Sequence, residues 1–212
     1  MRAYIVYFIL LLLGGNVAKS QTQEMHFDVL HLTKKEKKTF HSRRDSSISL
    51  EIDTLIMEDK SSLRFFGKKD VKIKAKHAII GNKVYITGTG KENNASNFNI
   101  DIGFEKLGSL SVLANGQDAL NGTKTFSNGD GGKVLLTYNP DKIIPQSNNK
   151  KEKHYLFVDV SPGGLHVTPS SEVGQLYDRI AQAPSGLRGL PQGQVYSGSP
   201  GKEGKVEIKA KE

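Results

Sequence analysis

The 212-residue chain has no cysteine and no tryptophan, and 30 Lys and Arg against 22 Asp and Glu leave it a formal charge of +8. Without cysteine, a disulfide scaffold, a thiolate metal site and a cysteine nucleophile are all excluded, so the fold must rest on its own apolar core. The basic excess biases the protein towards polyanions such as acidic polysaccharide, lipopolysaccharide or an anionic membrane.

Residues 1–20 read as a secretory signal. Arg2 supplies the charge, Ala3 to Leu13 form an unbroken apolar run, and Ala18-Lys19-Ser20 offers a small-x-small cleavage site before Gln21. The run is too short to cross a hydrocarbon core of about 30 Å as a helix. Cleavage is therefore expected, giving a mature chain that is secreted, periplasmic or on the cell surface.

The first strand is expected at "HFDVLHL", 26–32. His26, Asp28 and His31 are close in sequence, but alternation along a strand turns His31 away from the other two. The three cannot share one metal. "KKEKKTFHSRR", 34–44, follows with six basic residues and one Glu, and is expected as a solvated linker completing an N-terminal segment, 21–47. Its Lys34, Lys35, Lys37, Lys38, Arg43 and Arg44 are candidate polyanion contacts, since each basic residue near an anionic surface contributes about 1 kcal/mol. Phe40 is its one aromatic, so recognition of single-stranded nucleic acid by stacking is not expected.

Three stretches then repeat one design: "LEIDTLIMEDKSSLRFFG" (50–67), "VKIKAKHAIIGNKVYITG" (71–88) and "FNIDIGFEKLGSLSVLA" (98–114). Each opens on strict alternation, bends through a short apolar stretch, and reaches a second strand after a near-constant interval, at Leu63, Val84 and Leu110. Alternation bounded by turn-formers marks half-buried strands. A recurrence of this length marks a solenoid, whose units bury their apolar faces only by stacking. The expected fold is all-β, a short parallel β-helix over 48–212; a β-sandwich is the alternative. "KVLLTY" (133–138), "HYLFVDV" (154–160) and "KVEIKAK" (205–211) continue the strands less regularly.

"SNGDGG", 127–132, just before one of those strands, is the best candidate for a ligand loop. A Walker A loop would need Gly at 127 and Ser or Thr at 134, where Ser127 and Val134 stand. Calcium β-rolls need tandem GGxGxDxUx repeats, and "NGDGGKVLL" is one off-register copy. Asn128 and Asp130 stay as calcium candidates, although that ion wants six or more oxygens. The simpler reading is a tight corner in which glycine permits φ > 0.

Further on, 139–153 is expected as a surface loop. "SEVGQLYDRIAQ", 171–182, is expected as a helix with Ser171 as N-cap and Pro184 and Gly186 closing it. Its Val173, Leu176, Tyr177 and Ile180 share one face, which would cap an open end of the stack or dock a protein partner. Gly198, Gly201 and Gly204 recur in triplets too few for a collagen helix, so 186–205 reads as a turn-rich loop. Asn94-Ala95-Ser96 and Asn121-Gly122-Thr123 are glycosylation acceptors in loops.

Stacking the units from Leu50, Val71 and Phe98 puts Asp53, Lys74 and Asp101 in one column, beside Glu51, Lys72 and Asn99. This reads first as an ion-pair ladder worth a few tenths of a kcal/mol per pair. The sharper alternative is a catalytic cluster, because glycoside hydrolysis uses two carboxyls about 5–9 Å apart. His77 is expected as a packed corner residue, and no G-x-S-x-G elbow supports a serine triad. No cofactor is expected.

The units and the "NGTKTFSNGDGGKVLLTY" corner resemble a loose group of secreted bacterial β-helical proteins with Gly/Asn/Asp-rich turns, over roughly 48–140 and 193–209. The resemblance implies a β-solenoid and transfers no catalytic residue. The expected function is non-enzymatic binding of a glycan or another envelope polyanion. A carbohydrate-active lyase or hydrolase is one alternative; a protein-binding or inhibitor module is the other.

Overall fold

The structure, a computed structural model, describes residues 22–119, 126–165, 181 and 200–211, with the backbone alone for 42–46. Nine strands run in chain order: β1 Gln23–Leu32, β2 Lys37–Met57, β3 Ser62–Ile80, β4 Val84–Thr89, β5 Asn97–Leu107, β6 Ser109–Leu113, β7 Lys133–Tyr138, β8 Tyr155–Asp159 and β9 Lys205–Ala210. Every ladder between them is parallel, and all belong to one sheet. A parallel sheet whose strands follow one another round a common core is a β-solenoid. The sandwich alternative, which needs antiparallel sheets, is not adopted.

The coil has three faces. The first carries 37–41, 62–66, 84–89, 109–113 and 155–159; the second carries 23–27, 48–52, 71–75, 98–102, 134–138 and 206–210. The third carries 29–32, 54–57, 78–80 and 104–107. Alternation buries every second residue within the interior layers of each face. Two consecutive outward residues, such as Lys76-His77, then break the alternation where the chain turns from second face to third.

Stacking converts the alternation into a core. On the second face Ile48, Val71, Phe98 and Val134 form one inward column, and Leu50, Ile73, Ile100 and Leu136 the next; none is more than 2% exposed. Each such side chain contributes about 1.5–3 kcal/mol relative to its exposed state. Phe40 stacks on Phe65 with ring centroids 5.2 Å apart, and Phe65 meets Phe98 edge-on at 5.9 Å. The next inward position above Phe65 is Gly88, where a Cβ would strike the Phe98 ring.

The corner ahead of the first face is short and uniform. Lys35, Lys60 and Lys83 each adopt the left-handed conformation there, with φ of 66°, 64° and 57°. Carboxylates tie these corners down: Asp59 Oδ1 accepts the Asn82 N–H at 2.7 Å, and Glu36 Oε2 accepts the Thr33 N–H at 2.8 Å.

The corner between first and second faces holds the insertions. Ile48, Val71, Phe98, Val134 and Val206 occupy one position in successive second-face layers, and the stretch of chain between neighbours lengthens at every step. The inserted segments bond laterally to one another. Gln117 N–H donates to Asn93, Gly129 N–H to Gln117, Gly163 N–H to Gly129, and Gly201 N–H to Gly163, over 2.8–3.1 Å. The 128–132 stretch lies in the middle of this bundle. A Cβ at Gly129 would overlap the Asn93 carbonyl, and one at Gly131 the Val160 carbonyl. Glycine is required here for close backbone approach rather than for a positive φ.

Several expectations change. The basic run at 34–44 is no linker: 37–41 is a first-face strand, and β1 already belongs to the stack through its pairing with β2. The true register sets Ile48, not Leu50, beside Val71. The C-terminal helix expected over 171–182 lies outside the described residues apart from Ala181. The signal segment, the Asn121 acceptor and Gly198 also lie outside the described residues.

The N-terminal end of the stack carries polar groups in inward positions. Gln23 heads the Ile48 column and Lys38 heads the Leu63 column, with the Lys38 ammonium 5.5 Å from the centre of the Phe27 ring. Lys68, 1% exposed, reaches Gln23 Oε1 at 3.2 Å, and burial pulls its proton affinity below the ordinary lysine value.

Candidate functional site: an axial groove on the second face

The outward side chains of the second face stand in columns that run along the solenoid axis. Ser47, Asp70, Asn97, Lys133 and Lys205 form the first; Glu24, Ser49, Lys72, Asn99, Leu135 and Glu207 form the second. Between them lies a groove of about 790 Å3, floored by Ile48, Val71, Phe98 and Val134. It crosses all six second-face layers, so at about 4.8 Å per layer it is roughly 24 Å long.

The first wall is braced by its own hydrogen bonds. Ser47 Oγ donates to Asp70 Oδ2 at 3.3 Å, Asn97 Nδ2 donates to Asp70 Oδ1 at 2.9 Å, and Lys133 N–H donates to Asn97 Oδ1 at 3.0 Å. Three lysines on the walls, Lys72, Lys133 and Lys205, have no ion pair among the described residues.

The next two columns are different, because their charges are already matched. His26, Glu51, Lys74, Asp101, Thr137 and Lys209 are in register, with Lys74 at 3.5 Å from Glu51 and Lys211 against Asp101. Asp53 stands in the neighbouring column, where Lys76 contacts it at 2.6 Å. The expected Asp53–Lys74–Asp101 column is therefore corrected to Glu51–Lys74–Asp101. Asp53 and Asp101 are not placed as a facing pair.

The Asp53 carboxyl is held below the ordinary carboxylate range, first by its hydrogen bond from Lys76. Glu105 is lowered by His77 and Lys142, Glu36 by Thr33, and Asp59 by the Asn82 amide. A general acid in glycan cleavage needs the opposite, a carboxyl raised towards neutrality. These shifts also set an acid limit. The folded chain holds these four protons more weakly than the unfolded chain, so the stability they contribute is complete above the ordinary carboxylate range and is lost as pH falls from there through the lowered folded values. Urea midpoints are expected to be level from pH 7 to about pH 5 and to drop below about pH 4. Asp53→Asn should flatten part of that drop.

His26, Asp28 and Asp53 come together as a set the sequence did not disclose, their ligand atoms all lying within 4.8 Å of one another. His26 Nε2 is 3.2 Å from Asp28 Oδ1 and 4.0 Å from Asp53 Oδ2. The Lys76 ammonium already compensates Asp53, which leaves Asp28 as the trio's one carboxylate without a lysine partner, too little charge and too few oxygens for a divalent cation. His31 also points outward, but from the third face, because alternation breaks at Asp28-Val29 where the chain turns, and it pairs with Glu58 at 3.0 Å. His77 is not packed in a corner; it is exposed on the outer surface, with Nδ1 2.7 Å from Glu105.

The other candidates disperse. Asn128 Oδ1 accepts the Ala119 N–H and Asp130 Oδ1 accepts the Lys202 N–H, so each serves the glycine-rich bundle rather than a shared ion position. Lys34 and Lys35 lie at a corner, Lys37 points outward and Lys38 inward, so the basic run forms no single patch. The side chains of Arg43 and Arg44, and Val173, Leu176, Tyr177 and Ile180, lie outside the described residues. Comparison with family models, with curated proteins and with solved structures finds no match to this chain. Function must be argued from the geometry alone.

Proposed function

We propose that this β-solenoid is a secreted or cell-envelope binding protein that holds an extended, acidic glycan along the second-face groove without cleaving it. The observation that carries this reading is the groove itself: a braced channel spanning six layers, with three lysines on its walls left without an ion pair among the described residues. The lining also carries Glu24, Asp70 and Glu207, the last paired with Lys209, so against three lysines only Glu24 and Asp70 remain and a small positive excess lies in a shape suited to a linear chain. Asn97, Asn99 and Ser49 add amide and hydroxyl groups that match sugar hydroxyls. The carboxyl groups with altered proton affinity are all lowered, which favours binding over acid catalysis.

Titration of polygalacturonate or another acidic polysaccharide into the protein is the test. Affinity is expected to fall as salt rises. Lys72→Gln combined with Lys133→Gln should weaken it at least tenfold, while Tyr85→Ala and Phe157→Ala on the first face leave it unchanged. Binding indifferent to the two lysine changes would sink the groove as the site. New reducing ends or unsaturated uronate absorbance would instead favour the lyase or hydrolase alternative.

A further inference from the structure

We propose that β9 is a self-pairing edge, through which two copies of this chain join end to end about a two-fold axis. All six β9 residues are exposed. Val206 is 44% and Ile208 42% exposed, although their column neighbours Val134 and Leu136 are 2% and 0% exposed. The last layer thus presents Val206 and Ile208 inward on the second face, where the first layer has Gln23 and Met25, and that first end also carries Lys38 inward on the first face. Inward-pointing charge blocks edge-to-edge association, so the two ends are not equivalent.

The backbone supports a definite register. Among the described residues β9 pairs only with β7. Lys205 N–H donates to Gly132 and Lys211 N–H to Tyr138, both towards β7. Alternation then points the N–H and C=O groups of Val206, Ile208 and Ala210 at the open edge. Antiparallel pairing centred on Ile208 sets Ile208 opposite Ile208 of the second copy and Val206 opposite Ala210. These are the positions that exchange hydrogen bonds, so each outward group finds a partner. The residues between them, Glu207 and Lys209, fall opposite Lys209 and Glu207 of the second copy. Within one strand these two already touch at 2.6 Å, so pairing builds a closed set of four alternating charges. A strand that is complementary to itself fits an isologous dimer, and a two-fold axis closes the assembly at two copies.

Sedimentation of the full mature chain across a concentration series tests this. A monomer–dimer equilibrium is expected, with Glu207→Lys or Lys209→Glu each raising the dimer dissociation constant at least tenfold and the double exchange restoring it. Ile208→Lys should give a folded monomer, verified by circular dichroism. Hydrogen exchange at Val206, Ile208 and Ala210 should slow as concentration rises. A chain that stays monomeric, a dimer indifferent to the charge exchanges, or β9 amides protected equally at every concentration would overturn the proposal; the last would mean that the chain's own 166–199 covers the edge.

Discussion

Gly129→Ala and Gly131→Ala are expected to be the most damaging single-methyl additions among the described glycines, each lowering stability by about 3 kcal/mol or more. Adding atoms to a close-packed interior typically costs about 1–3 kcal/mol when side chains can give way. Here the obstacle is the carbonyl of Asn93 for one and that of Val160 for the other, and neither can turn aside without breaking the lateral hydrogen bonds of the bundle. Gly90→Ala provides the comparison, because its nearest contact would be a tolerable 3.3 Å from the Asn94 carbonyl. Urea denaturation of the three variants should separate them clearly: a large fall in midpoint for positions 129 and 131, and less than about 1 kcal/mol at 90. Equal effects at all three would show that the bundle is looser than its geometry implies.

Phe65→Ala should cost about 3–5 kcal/mol, the range for removing a buried aromatic ring. Phe65 is 1% exposed and sits between Phe40 and Phe98, so its loss leaves two rings without their shared neighbour. Phe66, the next residue, is 40% exposed on the outer surface, and Phe66→Ala should stay within about 0.5 kcal/mol. Two adjacent phenylalanines of opposite consequence are what period-two alternation requires. Thermal or urea unfolding of both variants decides the point; comparable losses would contradict the inward assignment of Phe65.

Much of this architecture is legible in the residue pattern, and the failures have physical causes. The strands at 71–75, 84–87, 98–102, 134–138 and 206–210 alternate cleanly, and they occupy the expected stack. Register is harder to read. Sliding a strand by one residue would invert its faces, but sliding it by two preserves them, so hydrophobic pattern cannot distinguish Ile48 from Leu50 as the partner of Val71. The strand at 37–41 hides behind its lysines, because Lys38 takes an inward place at an end where no further layer covers it among the described residues. The glycine-rich corner is recognisable as irregular chain, yet its partners at Asn93 and Gly201 lie far off in sequence, one on either side. The groove follows the same rule. Each of its residues is an ordinary outward polar position within its own strand, and only the stacking order gathers Lys72, Lys133 and Lys205 along one channel. The His26–Asp53 approach likewise exists only once β1 and β2 are paired.

The steady lengthening of the insertions along one edge has a consequence for how the chain assembles. The layers from Ile48 to Val71 and from Val71 to Phe98 close over short stretches of chain. The pairing of Phe98 with Val134 waits for longer, and that of Val134 with Val206 for longest of all. Loop-closure entropy rises with each interval, and non-local pairings are slower to form. A chain emerging N-terminus first can complete β1, β2 and β3 early and present a finished edge to each newcomer. Order of synthesis and order of increasing closure cost therefore coincide, so that the most expensive rung is added to the most complete template. β9, the last strand to arrive, should be the first to leave when the molecule is warmed.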